Sequence, residues 1–284
     1  MEKKIALFIV TVMLLCASNS VVFALSPMGP PKALYGLNRW GFGIEYGNQT
    51  MDLEADATVS EIMIVDPDVY EAPPRKFKHN IDNLKSNILM VRAGYGLNDN
   101  WDAFLRLGLA DAKGDIEYLN PVNPSPYEYK GFEGSFGFGW GIGTRATFWQ
   151  DDTVSWGGLL QITWLEPDNS GVTLSGEPNF DGDVEIDIEE VQIAVGPTWR
   201  ANDSISIYGG PFVHFVNGDL DINGRTTDRG TEFILETTGD IEEESQFGGY
   251  AGAHLEMDEN TSCYIECQLT NDAWGIGIGY AQGF

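Results

Sequence analysis

"GFEGSFGFGWGIGTRATFW" spans residues 131–149, and its alternation decides the fold class. The even positions hold Phe132, Phe136, Phe138, Trp140, Ile142 and Phe148. The odd positions hold Gly137, Gly139, Gly141 and Gly143, with Glu133, Ser135, Arg145 and Thr147. A period of two marks a β-strand, whose successive side chains point to opposite faces. Here one face is bulky and apolar and the other is small and polar. A soluble sandwich buries its apolar face and wets its polar one. A transmembrane barrel turns its apolar face outward to lipid and its polar face into a lumen. Glycine on the second face relieves crowding and permits curvature, which favours the barrel.

The same division recurs along the chain. Leu89, Val91, Ala93, Tyr95 and Leu97 oppose Arg92, Gly94 and Gly96. Val191, Ile193, Val195 and Trp199 oppose Gln192, Gly196, Thr198 and Arg200. Short acidic turns punctuate the chain at Asp99, Asp151, Asp203 and Asp258, with spacings of 52, 52 and 55 residues. Longer polar segments, about 52–83, 114–130, 167–183 and 221–243, are expected to be loops. Between these lie ten expected strands, roughly 39–50, 85–97, 101–112, 132–149, 153–165, 185–200, 204–218, 246–257, 261–270 and 273–284. Trp101, Trp149 and Trp199 each lie within three residues of a short turn, as an aromatic girdle at a bilayer interface would. Pro211 in mid-strand removes a ladder donor and predicts a bulge.

The N-terminus has Lys3 and Lys4, an apolar core from Ile5 to Leu15, and Val22-Phe23-Ala24 as a small-x-small site. This is the pattern of a secretory signal peptide, residues 1–24, with cleavage expected after Ala24 and a mature domain of 25–284. Leu15 stands before Cys16 where a lipoprotein signal would need a small residue. Removing 24 of the 284 residues leaves 260, and the formal charge moves from −27 to −28 with the loss of Glu2, Lys3 and Lys4. Such acidity excludes nucleic acid as a partner. A 43% hydrophobic composition excludes a disordered chain. No apolar run after residue 24 approaches the roughly 20 residues of a helical span. Cys263 and Cys267 sit about 13 Å apart on one strand face and cannot bridge each other.

Together the signal peptide, the alternation of short turns with long segments, and the terminal strand "AWGIGIGYAQGF" resemble the bacterial outer-membrane β-barrel class. The resemblance covers nearly the whole mature chain. It implies an all-β fold, a single antiparallel transmembrane β-barrel of about ten strands. It also implies short turns and both mature termini in the periplasm, long loops outside, and contact with outer-membrane lipid. Tyr280 and Phe284 in the last strand look like the signal read by the outer-membrane assembly machinery.

Alternation places Arg92, Arg106, Arg145, Glu45 and Glu266 on the inward face, at similar offsets from the short-turn end. They form a lumen-lining charged layer with two readings, an ion-selective constriction or a salt-bridge plug. The stretch "DGDVEIDIEE", 181–190, alternates acids with Gly182, Val184, Ile186 and Ile188. Its apolar phase is even while that of Val191, Ile193 and Val195 is odd, so a bulge near Glu189-Glu190 is expected. Its carboxylates make divalent cations a candidate partner of the acidic loops, although EF-hand spacing is absent, and the other reading is a solvated extension of the strand beyond the membrane. His79, expected in a loop, and His214 and His254, expected in the lumen, make no clustered metal site. No catalytic residue, cofactor or metal site is assigned. The leading function is a non-enzymatic structural or surface barrel, or a narrow small-solute channel. The alternatives are a small porin, a surface hydrolase on a ten-stranded barrel, and a secreted β-propeller. A propeller needs four strands per repeat, where two are counted.

Overall fold

The computed structural model describes residues 25–119, 127–168, 170–174, 177–228, 230–243 and 246–284. Its strands are β1 (Trp40–Val65), β2 (Asp68–Glu71), β3 (Arg75–Asn98), β4 (Trp101–Ala110), β5 (Lys113–Leu119), β6 (Tyr127–Glu133), β7 (Ser135–Gln150), β8 (Val154–Asp168), β9 (Ser170–Leu174), β10 (Glu177–Arg200), β11 (Ile205–Asp228), β12 (Thr231–Glu242), β13 (Phe247–Glu256), β14 (Thr261–Leu269) and β15 (Ala273–Gly283). Antiparallel ladders run β1–β15–β14–β13–β11–β10–β8–β7–β4–β3 and back to β1. This is a closed ring of ten strands, and each overlaps one of the ten expected from the sequence. It is one barrel and not a propeller.

The four short turns share one device. Asn98 Oδ1 accepts from the Asn100 N–H, and Asp258 Oδ1 from the Asn260 N–H. Asp151 Oδ1 accepts from Thr153 and Val154, and Asn202 Oδ1 from Ser204 and Ile205. A short side-chain acceptor two residues before its donor replaces a backbone turn bond. These backbone donors hold the Asp151 and Asp258 carboxyls below their usual range.

The segments expected as loops are instead largely strands. β1, β3, β10 and β11 run for 26, 24, 24 and 24 residues, about twice what a membrane crossing needs. Above the first ring they pair onward as β1–β3–β5–β6–β9–β10–β11–β12 and back to β1. A second closed ring, of eight strands, therefore stands on the first. β12 takes the place of β13, β14 and β15, and β5, β6 and β9 take that of β4, β7 and β8.

Polarity inverts between the two storeys while the pleat keeps its phase. On β10 the even residues point inward throughout, first Gly196, Ala194, Gln192 and Glu190, then Ile188, Ile186 and Val184. The odd residues point outward, first Val195, Ile193 and Val191, then Glu189, Asp187, Glu185 and Asp183. No register shift separates Glu189 from Glu190, so the expected bulge is absent. The surroundings change, not the strand. In the lower storey lipid lies outside and polar groups inside. In the upper storey water lies outside and an apolar core inside, as in a soluble barrel. β1 repeats the pattern, with Gln49 giving way to Met51, Leu53 and Ala55 on the inner face. On β11 the outer face passes from Val213 and Phe215 to Asn217, Asp219 and Asp221.

Other sequence expectations are corrected in detail. The stretch 132–149 is two strands parted at Gly134, and Phe132 on β6 points into the upper core rather than to lipid. Pro211 causes no register shift. It lies where the β10–β11 ladder pauses beside Pro197 and resumes in the same register. A bulge does occur on β3 at Asp82–Asn83, where Asn83 has φ 52° and the inward phase switches from odd to even. His79 lies on β3, wholly buried in the upper storey, and not in a loop.

All eight tryptophans lie at the edges of the lower storey's apolar belt. Trp40, Trp101, Trp149, Trp156 and Trp199 ring the short-turn end. At the other edge Trp140 and Trp164 stack at 4.1 Å, the Trp164 indole donates to Glu189, and Trp274 pairs with Thr50. Eight residues separate Trp40 from Asn48, or about 20 Å along the membrane normal for a strand tilted near 45°.

Candidate functional site: the lumen

The glycine face is explained by what fills the lumen. Residues 25–38, to which the sequence analysis gives no structural role, thread into the ring from the short-turn end. Asn38 donates to the Gly96 carbonyl, and the Leu34 N–H to Asp102 Oδ2 at 2.6 Å. Further in, the Ala33 N–H donates to Thr147. Next come Met28 and Gly29 at the charged layer, then Ser26, whose carbonyl accepts from Gln161 and Gln268 at 3.2 Å each. Leu25, Ser26 and Met28 have no exposed surface. Leu25 is therefore inside the barrel rather than at the short-turn end, where the resemblance implied the mature N-terminus. A Cβ on Gly47 or Gly277 would meet the Pro27 ring at 2.9 Å, and one on Gly41 or Gly94 would meet the Tyr35 ring. In the opening stretch, a Cβ on Gly143 would meet the Phe104 ring.

The structure places Glu45, Arg92, Arg106, Arg145 and Glu266 inside the lumen, each at most 1% exposed. Glu45 is held by Arg92 Nη1 at 2.6 Å, Arg106 Nε at 3.0 Å and the Tyr264 hydroxyl at 2.8 Å. Phe104 lies between Arg92 and Arg145, whose guanidinium carbons stand 5.5 and 4.8 Å from its ring centroid. Such cation–π contacts strengthen where water is excluded. Arg145 donates to the Met28 carbonyl at 2.6 Å. Glu266 does not pair with an arginine. Its Oε1 accepts from Met28 N–H at 2.6 Å and Gln268 Nε2 at 2.9 Å. Its Oε2 accepts from Gly29 N–H at 2.8 Å and the Tyr208 hydroxyl at 2.9 Å. Successive backbone donors at Met28 and Gly29 form an anion nest, with Gly29 at φ 73°. Three members of the layer thus pair charges across the barrel, and two, Arg145 and Glu266, grip the N-terminal segment.

Above this layer, Gln161, Gln192 and Gln268 are linked by hydrogen bonds of 2.5 and 2.9 Å. The upper core then begins, with Met51, Leu84, Ile88, Leu165, Ile188 and Leu220 all buried. His214 faces Glu243 at 2.6 Å, both side chains fully buried. His254 is 3% exposed. Tyr280 lies on the lipid face of β15, and Phe284 packs edge-on against Phe42 where β15 closes on β1.

Asp181, Asp183, Glu185, Asp187 and Glu189 line the outer face of the upper storey on β10, as expected of a solvated strand extension beyond the membrane. Asp187, Asp219, Asp240 and Asp56 fall in one cross-strand row. Burial, with the charges of Glu166, Glu185, Asp219 and Asp221, pushes the Asp187 carboxyl up. Among the described residues no group of three or more His, Cys, Asp or Glu is arranged to hold a metal ion.

No protein-family model matches the sequence, and no curated protein matches it. Among solved structures, the chain is similar to the outer membrane protein OprG of Pseudomonas aeruginosa, at 12% identity, over 88% of this chain and 98% of that one, with a TM-score of 0.42. It is similar to the outer membrane protease OmpT of Escherichia coli, at 8% identity, over 92% and 97%, with a TM-score of 0.46. It is also similar to the toluene transporter TbuX of Ralstonia pickettii, at 12% identity, over 90% and 92%, with a TM-score of 0.39.

Proposed function

We propose that this is a non-enzymatic outer-membrane barrel whose lumen is closed and whose task is to hold a rigid, acidic β-barrel storey outside the cell. In this reading the chain is exported by its signal peptide, cut after Ala24, and inserted by the assembly machinery through its last strand. The observation that carries it is the inversion of polarity at constant pleat phase, which gives the chain a lipid-facing storey and a water-facing one. Two seals in series argue against a pore. The N-terminal segment fills the lower lumen, and the apolar core fills the upper ring. An eight-stranded barrel is just filled by its side chains. The histidines favour a non-enzyme, because His79, His214 and His254 are buried at 0–3% exposure and none stands at an open rim.

Planar-bilayer recording tests the reading. The purified protein, extracted with detergent from carbonate-washed membranes, should give no steps above baseline. A variant lacking residues 25–37 should also stay silent, since the upper core remains. Steady ion-selective conductance of the parent would favour the porin, and recovery in the soluble fraction would reject the membrane barrel.

A further inference from the structure

Val65, Val69, Tyr70 and Phe233 are 39–59% exposed at the far end of the upper storey. Every other exposed large apolar side chain among the described residues belongs to the ring in the bilayer, its short turns or the entering segment. The four lie together. Above Val59, where the β1–β3 ladder ends, β1 pairs with β12 on one side and with β2 on the other. Phe233, Met63 and Tyr70 fall in one cross-strand row, and on the opposite face Ile64 stands beside Val69. Seventeen residues separate Asn48 from Val65, or about 40 Å along the membrane normal for a strand tilted near 45°, so lipid of the protein's own membrane cannot cover this crest. An apolar cluster exposed there, on a storey whose outer face is otherwise polar, marks a contact surface.

The same crest has an open sheet edge. Among the described residues β2 pairs with β1 alone. The Ala72 N–H donates to the Glu61 carbonyl. Antiparallel residues turn toward a given ladder alternately, so Tyr70 and Asp68 also turn their backbone groups to β1, and Val69 and Glu71 turn theirs away. The open edge therefore offers the N–H and C=O groups of Val69 and Glu71, with acidic side chains on either side of Val69-Tyr70. A second copy is a poor occupant. Edge to edge, Asp68 and Glu71 of one copy would stand against the same acids of the other, and like charges directly opposite destabilise a sheet. Charge on an edge blocks indiscriminate pairing, and because both charges here are acidic they admit a basic strand. We propose that the β2 edge docks an extended basic polypeptide segment, which adds a strand to the sheet with basic side chains opposite Asp68 and Glu71 and apolar ones opposite Val69 and Tyr70. Backbone bonds supply the pairing, and the added apolar side chains extend the row of Phe233, Met63 and Tyr70. The inference rests on the placement of the upper storey outside the cell proposed above.

The probe is a short fluorescein-labelled peptide with Lys-Val-Tyr-Lys at its centre, read by anisotropy against the purified protein in detergent. Binding should saturate below about 1 mM and weaken with salt. The same peptide with its two central nitrogens methylated keeps its charge but cannot pair along either edge. It should bind at least about ten-fold more weakly, as should a Glu-Val-Tyr-Glu peptide. In the protein, Val69→Pro deletes an outward N–H and spares the β1 ladder, since proline is tolerated where an edge strand's N–H faces solvent. It should cut binding at least about ten-fold. Asp68→Asn with Glu71→Gln should cut it several-fold and remove most of the salt dependence. Equal binding of the methylated or the acidic peptide overturns the strand addition, as does a failure to saturate or binding that ignores both variants. If Val69→Pro does not fold, the methylated peptide still decides on the parent. Dimers of the parent in place of peptide binding would give the edge to a second copy and overturn the proposal. Intact cells producing the parent should bind the peptide, and cells producing Val69→Pro should not. Binding by the purified protein but not by intact cells overturns the outward placement of the upper storey and leaves the pairing standing.

Discussion

Replacing Glu266 by glutamine keeps the shape of the side chain and turns one of its two acceptor atoms into a donor. Each carboxylate oxygen now serves two donors, Met28 N–H and Gln268 at one, Gly29 N–H and Tyr208 O–H at the other. Whichever way the new amide lies, two donors lose their acceptor. A buried donor left unsatisfied costs about 1–3 kcal/mol, so the loss should be about 2–6 kcal/mol. The Tyr208 hydroxyl can rotate away while a backbone N–H cannot, so the value should be nearer the lower end if the amide faces Tyr208. The assay is equilibrium unfolding of the folded barrel in detergent, read by tryptophan fluorescence and by heat-modified gel mobility. The companion variant lacks residues 25–37, so Met28 and Gly29 are absent. There, one donor (Gln268 or Tyr208) rather than two loses its acceptor, so Glu266→Gln should cost about half as much, about 1–3 kcal/mol. An equal cost with and without the segment would refute the grip assigned to Glu266, as would a shift under about 0.5 kcal/mol in the intact chain.

Gly47→Val should cost about 1–3 kcal/mol by driving a Cβ into the Pro27 ring, and Pro27→Gly should restore most of it in the same unfolding assay. Burial lowers the His79 pKa from 6.5 to about 4, so the folded upper storey favours the neutral ring. Its contribution is whole above pH 6.5 and is lost as pH falls toward 4, by about 3 kcal/mol. His79→Leu should therefore lose less stability than the parent between those pH values, and parallel curves would contradict this. Deleting Phe284 should lower the amount of folded protein in outer membranes and leave periplasmic aggregates, whereas unchanged levels on blots of fractionated cells would count against the terminal strand as an assembly signal.

The ten ring strands were legible because each crosses one slab of lipid, which imposes a single rule on its outer face for about ten residues. The upper strands obey the reverse rule, and the reversal disguised them. Asp183, Glu185, Asp187 and Glu189 read as a solvated strand extension, but that reading does not say that Ile188, Ile186 and Val184 meet an apolar core on the other face. A bulge was the natural way to join two opposed phases, because alternation alone does not say whether the strand or its surroundings has changed. Residues 25–38 carry Pro27, Pro30 and Pro31 and have no period. Their backbone groups are satisfied by Asp102, Arg145, Gln161 and Glu266, from strands far away in sequence, and no local pattern signals that. The one available hint was the glycine-rich inner face, which implies an occupant. The inward placement of the three arginines followed from the same alternation. That Glu266 serves the backbone rather than an arginine did not, since it depends on where the segment runs.

Four strands pass from one storey to the other without a break in chain, and this has a mechanical consequence. A domain tethered by loops swings, and a tug on it is absorbed by slack. Here β1, β3, β10 and β11 act as posts fixed at both ends, so a load on the exposed storey is carried straight into the ring in the bilayer. Their ladders lie along the pull, and many hydrogen bonds must shear together before any one strand slides. A probe that grips the upper storey should therefore meet a stiff object that yields abruptly, and the orientation of that acidic face relative to the membrane should be the same on every copy.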